Sequence, residues 1–518
     1  NGIKNSISFN SNNIKNLRIS SNTSFMESNQ NQYSSNFTDS NNKIDISYEN
    51  GWIELTYNNE RKKSNGNTNL NTPDFGQQQY QIKKGFGNPE KSFVEVGYLN
   101  NNNDSIVDGN LAKVNSQNSF FIKSQLIKNK KSNLNIYVNK TNIKSFNQNS
   151  DEDFLNTKLI YNQKILKNIV DSNLYYETNS GNLPQQEFTY LEVEPGLGNY
   201  KWIDVNENNI QELEEFEIAI FEDEGKYIRV LLPNQIFIRT YQNKLNYSMR
   251  LNFVKWKNSN RGFERFISKI SNQFQYSMDK KTNLNSNSEI EFNPFVVSEN
   301  GLLAYNYSLK NTIYFNKAKQ RYSLIFTYLE NKSKNNFSFG STSGSRIFSK
   351  LNFIHKIDDF YLIELIGNRE KKINWSENFS DKNYNIEETN LNPKITYFYG
   401  ENNRLNFFYK YSNMKNSIGN QEYLKQQNFG ISIFLNQVNN RGFTSEFNYF
   451  KNKFNGQSNS IISYVMMNGL QKGENYTWSL KYQRKLSKLI DINFVYLGRK
   501  SNSIRTIHNG SIQLKAIF

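Results

Sequence analysis

Apolar and polar residues alternate one by one along much of this chain, and that period confines what it can fold into. In 476–483 the order is Tyr476, Thr477, Trp478, Ser479, Leu480, Lys481, Tyr482, Gln483. Leu245, Tyr247, Met249, Leu251 and Phe253 alternate in the same way with Lys244, Asn246, Ser248, Arg250 and Asn252. The pattern returns at Tyr322, Leu324, Phe326 and Tyr328, and at Leu405, Phe407, Tyr409 and Tyr411. At the end, Ile512, Leu514, Ala516 and Phe518 stand against Ser511, Gln513 and Lys515. Side chains of a strand point to opposite faces in turn, so period two predicts strands with one apolar and one polar face. Helical spacing fits none of these segments.

The strands read as long, about 11–15 residues against a globular mode of about 5–6. A tilted strand needs roughly 9–11 residues to cross a bilayer, and more if it projects beyond it. Only seven prolines interrupt 518 residues, as unbroken ladders require. A closed membrane barrel also explains an odd composition, a mean hydropathy of −0.78 beside 15% aromatics. Its outer face is apolar and its inner face polar, so the average is hydrophilic. Disorder would suit the many Asn, Ser and Lys but not the aromatics. A nucleic-acid binder would suit pI 9.4, but its cations should cluster, and here they are scattered. The absence of Cys excludes disulfides, thiolate metal sites and a Cys nucleophile, and two histidines, His355 and His508, leave little imidazole chemistry. The expected fold is all-β: a transmembrane antiparallel β-barrel of about 16 or more strands with an inserted acidic loop region. A soluble β-sandwich or solenoid with one wet face is the alternative.

From 302 onward twelve strands are predicted, at 302–316, 321–331, 345–355, 359–370, 389–399, 403–413, 425–436, 441–452, 458–469, 474–485, 489–499 and 504–518. Four precede them, at 153–163, 167–179, 244–256 and 264–277. Residues 151–518 thus read as the barrel, with 180–243 inserted in it. Residues 1–150 form an N-terminal β region, either extra barrel strands or a separate β-domain, with weaker strands such as 43–61, 92–100, 116–128 and 132–142. Short connections at 317–320, 356–358, 400–402, 437–440 and 470–473 alternate with longer ones at 332–344, 371–388 and 414–424. Counted back from a periplasmic last strand, the short turns fall outside, which inverts the usual rule. The chain opens at Asn1 with no Met or apolar leader, and reads as a mature chain or a piece of a longer one.

The C-terminal end carries a resemblance. The stretch Asn468-Gly469-Leu470-Gln471-Lys472-Gly473-Glu474-Asn475-Tyr476-Thr477-Trp478 leads to Arg484-Lys485-Leu486, then Tyr496-Leu497-Gly498-Arg499-Lys500, Arg505-Thr506-Ile507-His508-Asn509-Gly510 and Ala516-Ile517-Phe518. Over about fifty residues this resembles the end of large outer-membrane β-barrel proteins of the Bacteroidota, of the flavobacterial type. Pro195-Gly196-Leu197-Gly198-Asn199-Tyr200-Lys201-Trp202, with the loop after it, is similar to the same proteins. The resemblance implies a bacterial outer-membrane location. It also implies an assembly signal made of Phe518 and the apolar face Ile512, Leu514 and Ala516, read by the outer-membrane assembly machinery. Arg499 and His508 recur in that pattern, and a lone His beside a strand end is read as structural.

One segment breaks the basic composition. The chain has 63 Lys and Arg against 47 Asp and Glu, a formal charge of +16. Nine of those acids lie between Trp202 and Gly225, where there is no Lys or Arg, and the rest of the chain carries +25. Within it, Asp204-Val205-Asn206-Glu207-Asn208-Asn209, followed by Glu215, matches a calcium-loop pattern in all positions but Asn209, where Gly is usual. Side-chain oxygens of Asp204, Asn206, Asn208, Glu212 and Glu215, with the carbonyl of Ile210, would be the ligands. Asn tolerates the positive φ that the sixth position needs. A solvated acidic loop is the bland alternative. Gly196 and Gly198 are read as turn residues, because no phosphate-binding helix follows.

Three functions are compatible with these features. The first is a non-enzymatic outer-membrane barrel: a channel, or a subunit of a secretion, assembly or uptake complex with other outer-membrane or periplasmic proteins. Lys244, Arg250, Lys410 and Lys481 would give it a basic lumen, and calcium would brace the insertion as a docking or gating element. The second is a secreted, calcium-stabilised adhesin or glycan-binding β-protein. The third, a barrel enzyme, is disfavoured because no nucleophile, base and orienting group stand at a telling spacing.

Overall fold

A computed structural model describes residues 2–14, 16–30, 33–66, 74–107, 110–146, 150–184, 187–204, 206–232, 237–259, 261–283, 293–295, 301–317, 321–337, 340–437, 441–487, 489–502 and 504–516. Among them, twenty-three strands belong to one antiparallel sheet and four short strands to a second. No helix is long and apolar enough to cross a membrane. By contacts the chain divides into two compact units.

The first unit comprises 1–182, 239–247 and 284–296. It contains β1 (Gly2–Ile14), β2 (Leu17–Gln30), β3 (Tyr33–Tyr48), β4 (Gly51–Gly66), β5 (Phe75–Gly87), β6 (Phe93–Val107), β7 (Asn110–Lys128), β8 (Ser132–Ser145), β9 (Ser150–Ile165) and most of β10 (Val170–Pro184). Each strand pairs antiparallel with the next. The predicted strand 43–61 is two, β3 and β4, because Glu49 and Asn50 turn the chain between Tyr48 and Gly51.

The second unit holds the insertion, with β11 (Glu187–Glu192), β12 (Tyr200–Trp202), β13 (Phe216–Ile218) and β14 (Tyr227–Leu232). After β15 (Phe237–Asn252), whose middle counts with the first unit, come helix α1 (Gly262–Ile267) and the strands β16 (Ile270–Asn283), β17 (Leu302–Phe315), β18 (Tyr322–Phe337) and β19 (Gly340–Lys356). Then follow β20 (Tyr361–Ser376), β21 (Tyr384–Tyr399), β22 (Asn403–Asn416), β23 (Tyr423–Gln437) and β24 (Arg441–Asn455). Helix α2 (Ile461–Met467) precedes β25 (Gly473–Lys485), β26 (Ile490–Ser501) and β27 (Ile504–Ala516). The predicted strand 264–277 begins instead with α1, and β16 takes over at Ile270.

Burial in this sheet is inside out. One rung of directly opposed residues runs Ile395, Phe407, Ile431, Phe447, Trp478, Gly498, His508 from β21 to β27. Ile395, Phe407 and Phe447 in it are large, apolar and exposed. The next rung, on the other face, runs Thr396, Asn406, Ser432, Glu446, Ser479. Its first three members are buried and polar, and they form a chain: Thr396 Oγ1 donates to Asn406 Oδ1 at 2.8 Å, and Asn406 Nδ2 to Ser432 Oγ at 2.8 Å. Phe429 is 50% exposed, whereas Ser432, three residues along β23, is 4% exposed. A soluble sheet does the reverse. Exposed apolar rows opposite a hydrogen-bonded polar face are the arrangement of a transmembrane β-barrel, in which lipid replaces the core as apolar partner. On that polar face Lys410 lies 3.7 Å from Glu388 and Lys394 3.3 Å from Glu364, so part of the expected positive charge is paired.

The predicted strand at 458–469 is helix α2. Its apolar, partly β-branched run Ile461, Ile462, Val465, Met466, Met467 resembles a buried strand in sequence. Capping decides otherwise. Ser460 Oγ accepts the Ser463 N–H at 3.1 Å, and Asn468 closes the helix with φ +51°. Ile462, Met466, Met467 and Leu470 pack on Ile386, Met414, Leu424 and Phe454 in a small core at one end of the sheet. With this strand removed, the count back from β27 shifts by one. Connections 316–321, 357–360, 400–402, 438–440 and 486–489 then share the end of the sheet where β27 finishes. The longer 377–383, 417–422 and 456–472 lie at the other end, with the two-residue connections 338–339 and 502–503. The long loop expected at 332–344 is instead taken up by β18 and β19, which pair as far as Phe337 and Gly340. The apparent inversion of loop lengths disappears.

Cross-strand glycines take aromatic rings. Gly430 pairs directly with Phe408, Gly498 with Trp478, Gly97 with Phe121 and Gly85 with Trp52. In each pair several ring atoms occupy the space that a Cβ on the glycine would need. Each ring therefore lies across the neighbouring strand and resists register slip. Gly430→Ala should destabilise the protein by about 1–3 kcal/mol through overpacking. Gly367→Ala, with no atom within 4 Å of the new Cβ, serves as control. Denaturant-dependent loss of heat-modifiable gel mobility measures both, and equal midpoints would contradict the steric account.

Candidate functional site: the docked acidic insertion

The insertion folds as a four-stranded sheet in the order β11-β14-β12-β13. β11 pairs with β14 from Glu187↔Leu232 to Glu192↔Tyr227, and β12 pairs with β13 from Tyr200↔Ile218 to Trp202↔Phe216. Its core is aromatic: Tyr190 stacks on Phe216 at 4.1 Å, and Phe216 meets Tyr227 edge-on at 5.0 Å. Burial pushes the Tyr190 phenol up to about 12. Gly196 and Gly198 are turn residues, as expected. The N–H groups of both donate to Gly225 O, at 2.9 and 3.0 Å, and the backbones approach so closely at Gly198 that no Cβ would fit.

The predicted calcium residues form a tight loop. Asp204 accepts the N–H of Asn208 on Oδ1 at 3.2 Å and that of Asn209 on Oδ2 at 2.9 Å. Asn206 Oδ1 accepts the Asn208 N–H at 3.1 Å, and Asn208 Oδ1 accepts the Ile210 N–H at 2.6 Å. Asn209 adopts φ +58°, the conformation that Gly would otherwise supply. The amides of Asn206 and Asn208 both donate to the Glu212 carboxylate, at 3.0 and 3.3 Å. Asp204, Asn206, Asn208 and Glu212 are thus one cluster. Glu215 is held apart from its solvent side: it is buried and accepts the Trp202 indole N–H at 2.7 Å. Among the described residues no three Asp, Glu or His side chains come together as metal ligands would. A cation here would rest on two carboxylates, two amide oxygens and the Ile210 carbonyl, with Glu215 turned in from Trp202.

The acidic tip beyond this loop contacts the strands. Arg499, projecting from the polar face of β26, makes a bidentate pair with Asp223 at 2.6 and 2.8 Å and reaches Glu224 Oε1 at 3.1 Å. Its guanidinium also covers the Phe221 ring at 4.0 Å. From α2, the Tyr464 hydroxyl donates to Glu224 Oε2 at 2.9 Å and accepts the Ile220 N–H at 3.0 Å. Lys201 completes the cluster, 3.0 Å from Glu224 and over the Tyr464 ring. Further along the same end, Lys382 donates to Phe216 O at 2.8 Å and pairs with Glu217 at 3.0 Å, and Phe188 meets Phe337 of β18 edge-on. The insertion therefore spans from β18 to β26 within its unit. Charge-assisted, bidentate contacts with Arg499 mostly shielded from water are the strong kind. A cavity of about 310 Å³ lies beside them, between Ile220–Asp223 and the polar face of β24–β27.

The sequence singled out Arg499 only through its recurrence and did not pair it with Asp223, because 276 residues separate them. Tyr464 and Lys382 carried no signal at all. His508 is not part of this site. It lies on the apolar face, where Nδ1 is 2.8 Å from the Tyr496 hydroxyl and the ring stacks on Tyr496. Of the assembly-signal residues, Ile512, Leu514 and Ala516 stand on the exposed face of β27 opposite Phe494, Ile492 and Ile490, and Phe518 lies outside the described residues.

No protein-family model matches this chain, and no curated protein sequence does. Among solved structures, it is similar to the FrpB iron transporter from Neisseria meningitidis, with 11% identity over 96% of this chain and 68% of that one, at a TM-score of 0.32. The siderophore receptor PirA from Acinetobacter baumannii gives 8%, 96%, 75% and 0.35. The ferric enterobactin receptor PfeA from Pseudomonas aeruginosa, a point mutant, gives 8%, 96%, 74% and 0.33. The inside-out sheet itself defines the class: the strands are those of a transmembrane β-barrel.

Two outcomes follow for the docked tip. The chain has no Cys, so a spin label on an introduced Ile218→Cys, at an exposed position, reports insertion mobility. Arg499→Ala removes contacts of about 1.5–3 kcal/mol each and should turn an immobile spectrum mobile, whereas an unchanged spectrum would refute the latch. The second outcome depends on pH. Burial raises the Tyr464 phenol well above its usual value, and the Glu224 carboxylate adds to the shift against the opposing Ile220 N–H. An undocked Tyr464 ionises near 10.0 while the docked one keeps its proton, so docking is fully supported below pH 10 and weakens as pH rises beyond it. Label mobility should increase above pH 10 in the otherwise wild-type protein. In Tyr464→Phe that pH dependence should be smaller.

Proposed function

We propose that this chain is a non-enzymatic outer-membrane barrel that works as a channel or as the membrane subunit of a secretion, assembly or uptake complex, its acidic insertion serving as a calcium-braced docking or gating element. The observation that carries this reading is the clamp of Asp223 and Glu224 on Arg499. A nine-acid segment in a basic chain is folded back onto the polar face of its own strands, at the end bearing the longer connections. In outer-membrane barrels the longer loops are extracellular, which supports placing the insertion at the outer mouth. The Asp204–Glu212 loop sits in the same small sheet as the clamp, so a cation there would stiffen the docked element. The resemblance of the C-terminal end to Bacteroidota barrels, with Ile512, Leu514, Ala516 and Phe518 as the signal for the assembly machinery, is part of the same reading. Lipid is the first partner, and periplasmic or outer-membrane proteins are the others. Nothing in the scattered cations calls for nucleic acid.

Planar-bilayer conductance of the purified protein tests the gate. Low conductance with millimolar calcium should rise on addition of chelator, and the Asp204→Ala/Glu215→Ala double variant should be high in both. Conductance that is the same with calcium and with chelator, in wild type and double variant alike, would discard calcium bracing. If Arg499→Ala is also unchanged, the gating role falls with it.

A further inference from the structure

A separate cavity of about 1330 Å³ lies within the first unit, on the polar face of β2–β9. One rung of that face is unusual. Directly opposed residues run Ser47, Trp52, Gly85, Glu95, Lys123, Tyr137, Lys158 from β3 to β9. All but Ser47 and Gly85 are large, and all but Gly85 line the cavity. The Trp52 ring lies flat over Gly85, since three of its ring atoms are near-equidistant from where a Cβ would stand. Its other face is thus turned to the cavity. Phe93 supports it edge-on at 5.7 Å, and Phe121, flat over Gly97 in the adjoining rung, stands 6.5 Å from Tyr137. Elsewhere this face is built of Asn, Ser and Gln, as in Gln77–Asn101 and Asn103–Asn115.

We propose that this rung is a binding site for a neutral oligosaccharide, with Trp52 and Tyr137 as stacking platforms and Glu95 and Lys123 between them as hydroxyl acceptor and donor. Three observations select that class. The Trp52 ring is presented by its face, against which the C–H face of a sugar ring packs, and Tyr137 lines the same cavity. Strands β4 to β8 each have a hydrogen-bonded neighbour on both sides, so no free edge remains for a peptide to join. The lining carries four carboxylates and three cations, a near balance that suits a ligand of many hydroxyls and no net charge. From β4 to β8 the rung covers roughly 19 Å at the usual strand spacing, enough for several sugar units. The site is independent of the insertion and of the gating role.

Calorimetric titration of the full chain in a non-glycosidic detergent tests this, with maltohexaose, cellohexaose and chitohexaose as neutral probes and hexagalacturonate and hexaalanine as counter-probes. Saturable binding of at least one neutral hexasaccharide is expected, weakened tenfold or more by Trp52→Ala and by Tyr137→Ala. Trp478→Ala, on the lipid face, should leave it unchanged. Heat-modifiable mobility checks that each variant is folded, and Glu95→Gln with Trp52→Phe replaces any variant that is not. No binding of the three neutral probes would overturn the proposal. So would wild-type affinity in both platform variants, or tighter binding of either counter-probe.

Discussion

The antiparallel backbone ladder is the constraint on which the rest of this protein depends. In hydrocarbon every N–H and C=O must find a partner within the protein, and strands can do this only by pairing with neighbours. Once the ladder is made, alternate side chains are committed to opposite faces. The apolar rung from Ile395 to Trp478, exposed at Ile395, Phe407 and Phe447, and the polar rung from Thr396 to Ser479, buried at Thr396, Asn406 and Ser432, are consequences of one geometric fact. The buried Asn, Ser and Thr would be costly unpaired. They are tolerated because they bond across strands, as Thr396, Asn406 and Ser432 do.

The insertion follows a different logic. It is too small to hold a large core, and it combines an aromatic stack around Phe216 with a charged surface that is neutralised by docking. Arg499, Lys201 and Lys382 take up much of its excess negative charge. Such contacts are directional, so they specify one docked position as well as holding it. Local acidity in a basic chain is thereby converted into an address on the polar face of β26 and the helix before β25.

Much of the strand content was legible because period two survives in single residues. From Leu405 to Tyr411, and from Tyr476 to Tyr482, nothing nonlocal was needed. The 458–469 segment was misread for the opposite reason. Ile461, Ile462 and Val465 are β-branched and apolar, and only the Ser460 cap and the core formed with Ile386, Met414, Leu424 and Phe454 make a helix the better solution. That single segment also reversed the apparent order of long and short loops. Strand 43–61 was overextended although Asn50-Gly51, a strong turn dipeptide, stands at its turn, because the alternation resumes directly after it.

The site divides in the same way. The Asp204–Glu215 spacing was visible locally, since its hydrogen bonds connect residues two to six apart in the chain. The Arg499 clamp and the Trp52–Tyr137 rung were not, because they join residues distant in sequence through strand register and docking. Alternation along the chain determined that this protein would be a sheet with one face for lipid and one for water. Which residues meet across that sheet, and where the acidic segment comes to rest on it, was decided only in three dimensions, because register and docking are set by contacts between strands that no local pattern encodes.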